Sequence, residues 1–318
     1  MSPKVTVIIP VFGAEKFIEK CARSLFEQTL DDVEYIFVDD FSSDNSIKIL
    51  KTTLEQYPLR KDNVKIIHHT SNLGVANARQ TGLENSIGNY FIHCDPDDWV
   101  ESDWLETLYN EAIRTCCDMV SCDFYYETSS NSEIHSARPT NLESKDLRIG
   151  MTKDICGAGW NKLIKADIIK NNDIAYLNGI NYQEDLLFNY KTLCYCKSIS
   201  HIDKPLYHYS KSNETSITSN LKLEHIKPKF IVKYEIFKAE KDKNIWNKIK
   251  YHICKDYEIQ ELWICKEVSN SEFKKLFQPF INTLWNRKNV KFKWKLLVFF
   301  MFLGFGGIIR KRILSCKR

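Results

Sequence analysis

The sequence predicts an α/β fold: a mostly parallel, doubly wound sheet with flanking helices, followed by a helical C-terminal region. Three observations predict it. Strand-like and helix-like apolar patterns alternate through the first 127 of 318 residues, which is the rhythm of right-handed β-α-β crossovers. Each strand-like run ends in a polar loop, on the edge where such sheets bind ligands. A content of 43% hydrophobic and 13% aromatic residues supplies a packed core rather than a disordered chain.

The elements follow in order. Val5-Thr6-Val7-Ile8-Ile9 reads as a buried strand, with Pro10 after it. Ala14 to Gln28 places Phe17, Ile18, Cys21 and Leu25 at helical spacing. Tyr35-Ile36-Phe37-Val38 is the second strand and runs into Asp39-Asp40-Phe41-Ser42-Ser43-Asp44, where Ser43 or Asp44 can cap a helix through Ile47, Leu50 and Leu54. Val64 to His68 is the third strand, leading through Asn72-Leu73-Gly74 to a helix over about Val75 to Asn85. The fourth, Tyr90 to Cys94, ends abruptly in Asp95, Asp97 and Asp98. A buried strand cannot hold ionised carboxylates along its length, so these acids belong in the loop beyond it, facing water or a cation. Asp95 and Asp97 suit hard oxygen coordination of Mg²⁺ or Mn²⁺, and a metal-bound diphosphate is the matching ligand. An Asp-Pro turn before an acidic helix start near Glu101 accounts for the same residues without an ion.

A strand is expected near Asp118 to Phe124, and the polar stretch Glu127 to Ser136 reads as a loop or flexible lid. Glu184-Asp185-Leu186-Leu187-Phe188 opens a helix to about Leu193. From Leu221 helical patterns dominate, with Trp246, Trp263 and Trp285 spaced through Lys-rich sequence. The expected division is a catalytic domain over 1–220 and a helical region over 221–318. Within the latter, about 291–318 forms a basic, apolar membrane-associating tail: Leu296 to Ile309 is apolar but shorter than the roughly 20 residues that span a bilayer, and Lys291, Lys293, Lys295, Arg310, Lys311, Arg312, Lys317 and Arg318 flank it. Cationic flanks around a short apolar run suggest an interfacial anchor, a buried helix being the alternative.

The balance of 45 basic and 41 acidic residues, net +4, gives no argument for nucleic acid. Eleven cysteines include no Cys-x-x-Cys, so reduced thiols are expected rather than zinc or a disulfide scaffold. Met1 to Pro10 lacks the pattern of a signal peptide, which points to a cytoplasmic protein, peripheral at the inner face of the cell membrane.

Taken together, Val7-Ile8-Ile9-Pro10-Val11-Phe12 with Glu15, Val38 to Asp44, Asn72 to Arg79, and Gly88-Asn89-Tyr90-Phe91 running into Asp95-Pro96-Asp97-Asp98 resemble family 2 glycosyltransferases of the GT-A, Rossmann-like fold. The type is that of bacterial capsule, lipopolysaccharide and exopolysaccharide synthesis. Trp160-Asn161-Lys162-Leu163, Glu184 to Phe188, and Tyr207-His208-Tyr209 with Ser216-Ile217-Thr218 continue the likeness, which covers residues 4 to about 220. The sequence departs from the family pattern at Phe12-Gly13, Phe41, Pro96 and Ser210, none of which removes a carboxylate.

The resemblance implies an inverting, metal-dependent hexosyltransferase or relative, moving a sugar from a nucleotide diphosphate sugar, UDP-linked by expectation, to a saccharide or lipid-linked acceptor. It implies that Asp95 and Asp97, a DXD motif, hold the ion, with His208 a further candidate ligand or a packing residue. Asp40 would accept a hydrogen bond from the base, Pro10 to Phe12 would form a wall, Glu15 would touch ribose or base, and Arg79 would reach a phosphate or fix Asp40. Asp185 would be the base and Glu184 its partner, while Trp160 would line the acceptor pocket or pack in the core. A nucleotidyltransferase is the alternative enzyme, but Pro10-Val11-Phe12-Gly13-Ala14-Glu15 lacks the Gly-rich basic loop it needs. A non-catalytic sugar-nucleotide-binding scaffold has no use for a base such as Asp185.

Overall fold

A computed structural model describes residues 2–139, 141–152, 157–213, 225–253, 263, 265, 268–278, 281–285 and 290–315. The chain forms two units, Met1–Met151 with Ile155–Asn220, and Thr152–Asp154 with Leu221–Arg318. The expected boundary near residue 220, and Ser216 to Thr218, fall outside the described residues.

The first unit is built on a nine-stranded sheet. β1 (Val5–Val11) and β2 (Val33–Asp39) are buried along their whole length and pair in parallel from Val5↔Val33 to Val11↔Asp39. Their apolar runs are near-continuous because both faces are covered. Val5, Val7, Ile9 and Val11 share one core with Cys21 and Leu25 of α1 (Ile18–Phe26), whereas Ile8 joins Ala76 and Phe91 on the opposite face. β3 (Val64–His68) lies beyond β2, and β4 (Tyr90–His93) pairs with the other side of β1. α2 (Ser46–Leu54) and α3 (Val75–Glu84) make the crossovers. The order β3-β2-β1-β4 reverses direction at β1, and such a switch point opens a crevice at the strands' carboxyl ends.

Past β4 the sheet changes character. β8 (Lys162–Lys165) pairs antiparallel with β4 through Tyr90↔Lys165 and Phe91↔Ile164, and the order continues through β6 (Met119–Glu127), β9 (Ile199–Ser210) and β5 (Trp99–Val100). β6 and β9 are parallel, while β5 runs antiparallel to β9. The helix expected near Glu101 is α4 (Trp104–Thr115), and α7 (Glu184–Leu193) keeps the expected span. One expectation is overturned: 127–136 is no open loop, because β7 (Ser132–His135) folds back antiparallel on β6 from Glu127↔Ser132 to Phe124↔His135. All four β7 residues are exposed, so no apolar alternation marks the strand in the sequence.

The second unit is helical among its described residues: Ile226–Ala239, Lys243–Ile253, Asn270–Phe277, Ile281–Trp285, Phe292–Phe302 and Gly306–Ser315. Among the described residues Phe230, Trp263, Phe273 and Phe277 are fully buried. Ser269 and Glu272 form a capping box at the start of Asn270–Phe277. The eight described cysteines are all free thiols.

Candidate active site

The acidic loop after β4 is held from beneath. The Asp95 amide donates to Tyr207 Oη at 3.0 Å, the Tyr207 hydroxyl donates to Asp98 Oδ2 at 2.6 Å, and the Ser210 amide donates to Asp98 Oδ1 at 2.7 Å. Asp98 is therefore buried and spent on fastening the loop to β9. Burial, then the charges of Asp97 and Asp95, drive its carboxyl well above the ordinary range. Asp95 and Asp97 remain half-exposed. Asp95 Oδ1 accepts from Arg79 at 2.7 Å and Asp97 Oδ2 accepts from Asn213 at 2.8 Å, which leaves each a further oxygen to offer. Burial and the neighbouring Asp95 charge raise the Asp97 pKa. Two crowded carboxylates with free oxygens are a donor set that fits a hard divalent cation.

Arg79 does something the sequence did not suggest. Its guanidinium, 5% exposed, spans two carboxylates: one terminal nitrogen bonds Asp95 and the other bonds Glu184 at the start of α7. Both terminal nitrogens are thereby engaged by carboxylates, not directed at Asp40. Glu184 is buried, and burial outweighs Arg79 in raising its pKa to about 7. Asp185, next along, is half-exposed, with Oδ1 accepting from the Leu186 amide at 2.7 Å; burial raises its pKa as well. Of the two acids, Asp185 is the one open to an incoming group. Both sit at a helix N-terminus, where the dipole favours negative charge.

Asp40 is a correction. An acceptor for a base N–H needs an accessible oxygen, but Asp40 is 2% exposed and takes the amides of Leu73 and Gly74 at 2.8 and 2.7 Å, with His69 Nδ1 at 2.7 Å. It fixes the loop after β3. Asp39 holds the preceding turn through the Ser42 amide. Glu15 Oε2 accepts from the Asn45 amide at 3.1 Å, tying the loops after β1 and β2 together. Pro10 is buried in β1, opposite Val38, whereas Phe12 and Phe41 each stand 57% exposed just past β1 and β2.

His208 and Trp160 each carry two readings from the sequence. Both ring nitrogens of His208 already face carboxylates, Nδ1 on Glu127 at 2.7 Å and Nε2 on Glu101 at 3.0 Å, and the ring is stacked between Trp99 and Tyr125. Both ring nitrogens are taken up by these contacts, so His208 packs rather than ligates. Trp160 is 5% exposed and stacks on Tyr207 and Tyr209, which makes it core and not acceptor wall. Asp123, His201 and Asp203 bring ligand atoms within 4.8 Å of one another. That set is internally bonded, with His201 on Ser121 and Asp123, and Asp203 on Arg138. Tyr207 and Asn213 are the functional supports that sequence reasoning missed. Their partners lie more than 100 residues away, and nothing local marks them.

A family model described as glycosyl transferase family 2 matches residues 6–172, more than half of the chain. The chain belongs to that family. The uncharacterized glycosyltransferase EpsJ of Bacillus subtilis is 31% identical over 228 residues, 69% of this chain and 64% of that protein, so the match spans less than two thirds of the relative. Two solved structures share the fold: S. aureus TarS 1-349 in complex with UDP, at TM-score 0.69 and 18% identity over 98% of this chain and 90% of that one; and the mannosyltransferase PcManGT from Pyrobaculum calidifontis in complex with GDP-Man and Mn2+, at 0.58 and 13% over 98% and 87%. The GT-A architecture expected of a family 2 transferase is the architecture observed.

Proposed function

We propose that this chain is an inverting glycosyltransferase that moves a sugar from a nucleotide diphosphate sugar to a hydroxyl of a saccharide or lipid-linked saccharide, in the building of a bacterial surface polysaccharide. The observation that carries the reading is the Arg79 bridge, which ties the Asp95–Asp97 loop to the helix start that presents Asp185. It supports one site in which a leaving diphosphate and an attacking hydroxyl meet.

In this reading the acceptor oxygen attacks the anomeric carbon from the face opposite the diphosphate. The C–O bond to phosphate breaks, its electron pair leaves with the diphosphate, and Asp185 takes the hydroxyl proton. An α-linked donor gives a β-linked product. Asp97 and Asp95 would hold a divalent ion, which when bound would neutralise the charge growing on the diphosphate. Arg79 positions the carboxylates on either side of it, and Glu184, buried and paired, orients rather than deprotonates. Exposed Phe12 offers a face for the base. The crystallised TarS neighbour carries UDP and PcManGT carries GDP-Man, so both nucleotides belong in the test. Turnover of UDP- and GDP-sugars is measured with and without Mg²⁺ or Mn²⁺. We expect ion-dependent transfer that Asp97→Ala and Asp185→Asn each lower by about 10²-fold or more; wild-type transfer by either variant overturns its role.

A further inference from the structure

Charge is segregated along this chain. The last 45 residues, from Lys274, hold 12 Lys and Arg and no Asp or Glu, leaving 33 basic against 41 acidic residues before them. The net +4 is thus a −8 body followed by a +12 segment. Within that segment, helix Phe292–Phe302 buries Trp294, Val298 and Met301. Its opposite face is apolar too: Phe292 is 66% exposed, Phe299 40%, Phe300 37% and Leu303 54%. This second apolar face, flanked by Lys293 and Lys295, has no reason of its own to turn to water.

The next helix, Gly306–Ser315, turns away at 120°, with Phe305 62% and Ile308 70% exposed at the bend. The bend is built in. A Cβ on Gly306 would lie 2.3 Å from the Met301 backbone, and Gly304 has φ +92. Buried Arg310 donates to the Trp263 and Cys265 carbonyls and to Asn270, anchoring the second arm within its own unit. Eleven and ten residues give arms of about 16 and 15 Å. Each is half of a hydrocarbon core about 30 Å thick. No single described helix is long and apolar enough to cross a membrane.

We propose that the Phe292–Ser315 elbow docks this chain on an anionic phospholipid surface, entering one leaflet with its apolar bend and meeting headgroup phosphates with Lys293, Lys311 and Arg312. Apolar area and positive charge act together in such anchors. The proposal goes beyond the transfer reaction and does not depend on it, since docking is read without any donor or acceptor.

The full chain is sedimented with vesicles of phosphatidylcholine, alone or mixed with phosphatidylglycerol. Binding should be about tenfold or more stronger with phosphatidylglycerol and should weaken as salt rises from about 0.05 to about 0.5 M. The double variant Phe305→Ser/Ile308→Ser alters only side chains exposed at the bend and should lose about tenfold in binding. Its thermal midpoint and its turnover of a soluble acceptor should stay at wild-type values. Equal binding to both vesicle types, or undiminished binding by the variant, overturns the proposal. A loss of turnover in wild-type protein that still binds vesicles would instead count against the transferase reading alone.

Discussion

Glu184 and Asp185 are adjacent acids with different surroundings, and the difference sets what each substitution should do. Asp185→Asn keeps shape and removes basicity, so kcat should fall about 10²- to 10⁴-fold while donor KM moves little; an equal rise in KM would make Asp185 a binding group. Glu184 is held at about 7 by burial, well above an unfolded carboxylate. Its folded form keeps the proton longer than its unfolded form, so the stability it contributes is present at low pH and is lost as pH rises from about 4.5 through about 7. Glu184→Gln has no such titration. The thermal midpoints of wild type and variant should therefore agree at low pH, part between about 4.5 and 7, and stay apart above that, with the variant higher. Curves that stay parallel across that range would refute the assignment.

At the scale of elements, the parallel half of the sheet was legible because its signals are local. The near-continuous Val5–Ile9 and Tyr35–Val38 runs, and the 3.6-residue spacing of Ile18, Cys21 and Leu25, name buried strands and a covering helix without knowledge of their partners. In the other half β6 was legible, as the strand expected near Asp118 to Phe124, but its shorter neighbours were not. β5 is two residues long, β8 is four, and β7 is exposed throughout, so none carries a pattern long enough to read. The site divides in the same way: Asp95 and Asp97 announce themselves at a strand tip, but the Arg79–Glu184 pair spans 105 positions and only folding reveals it. Trp160 is open from its sequence between acceptor wall and core packing. Sandwiched with Tyr207 and Tyr209, it should behave as core. Trp160→Ala should destabilise by about 3–5 kcal/mol in denaturant unfolding, with little change in acceptor KM for the protein that remains folded.

For the whole molecule, an ion held by Asp95 and Asp97 binds the native state alone and must therefore raise its stability. At about 100 times its Kd the gain is about 2.7 kcal/mol. Mn²⁺ should raise the thermal midpoint of wild type and EDTA should reverse it, while Asp97→Ala should show no rise. Since both His208 nitrogens are engaged elsewhere, His208→Gln should keep the shift, and its loss would restore the histidine as a ligand. Arg79 bears on the molecule in another way. The two halves of the sheet meet between β4 and β8 through only Tyr90↔Lys165 and Phe91↔Ile164. α7 lies against that joint, with the Phe188 ring 6.1 Å from Phe91. By bonding the tip of β4 to the head of α7, Arg79 rivets the seam from above. Reactive centres commonly trade durability for chemistry; here the same guanidinium serves both, so selection for a sturdier fold and for a working site would pull in one direction at this position.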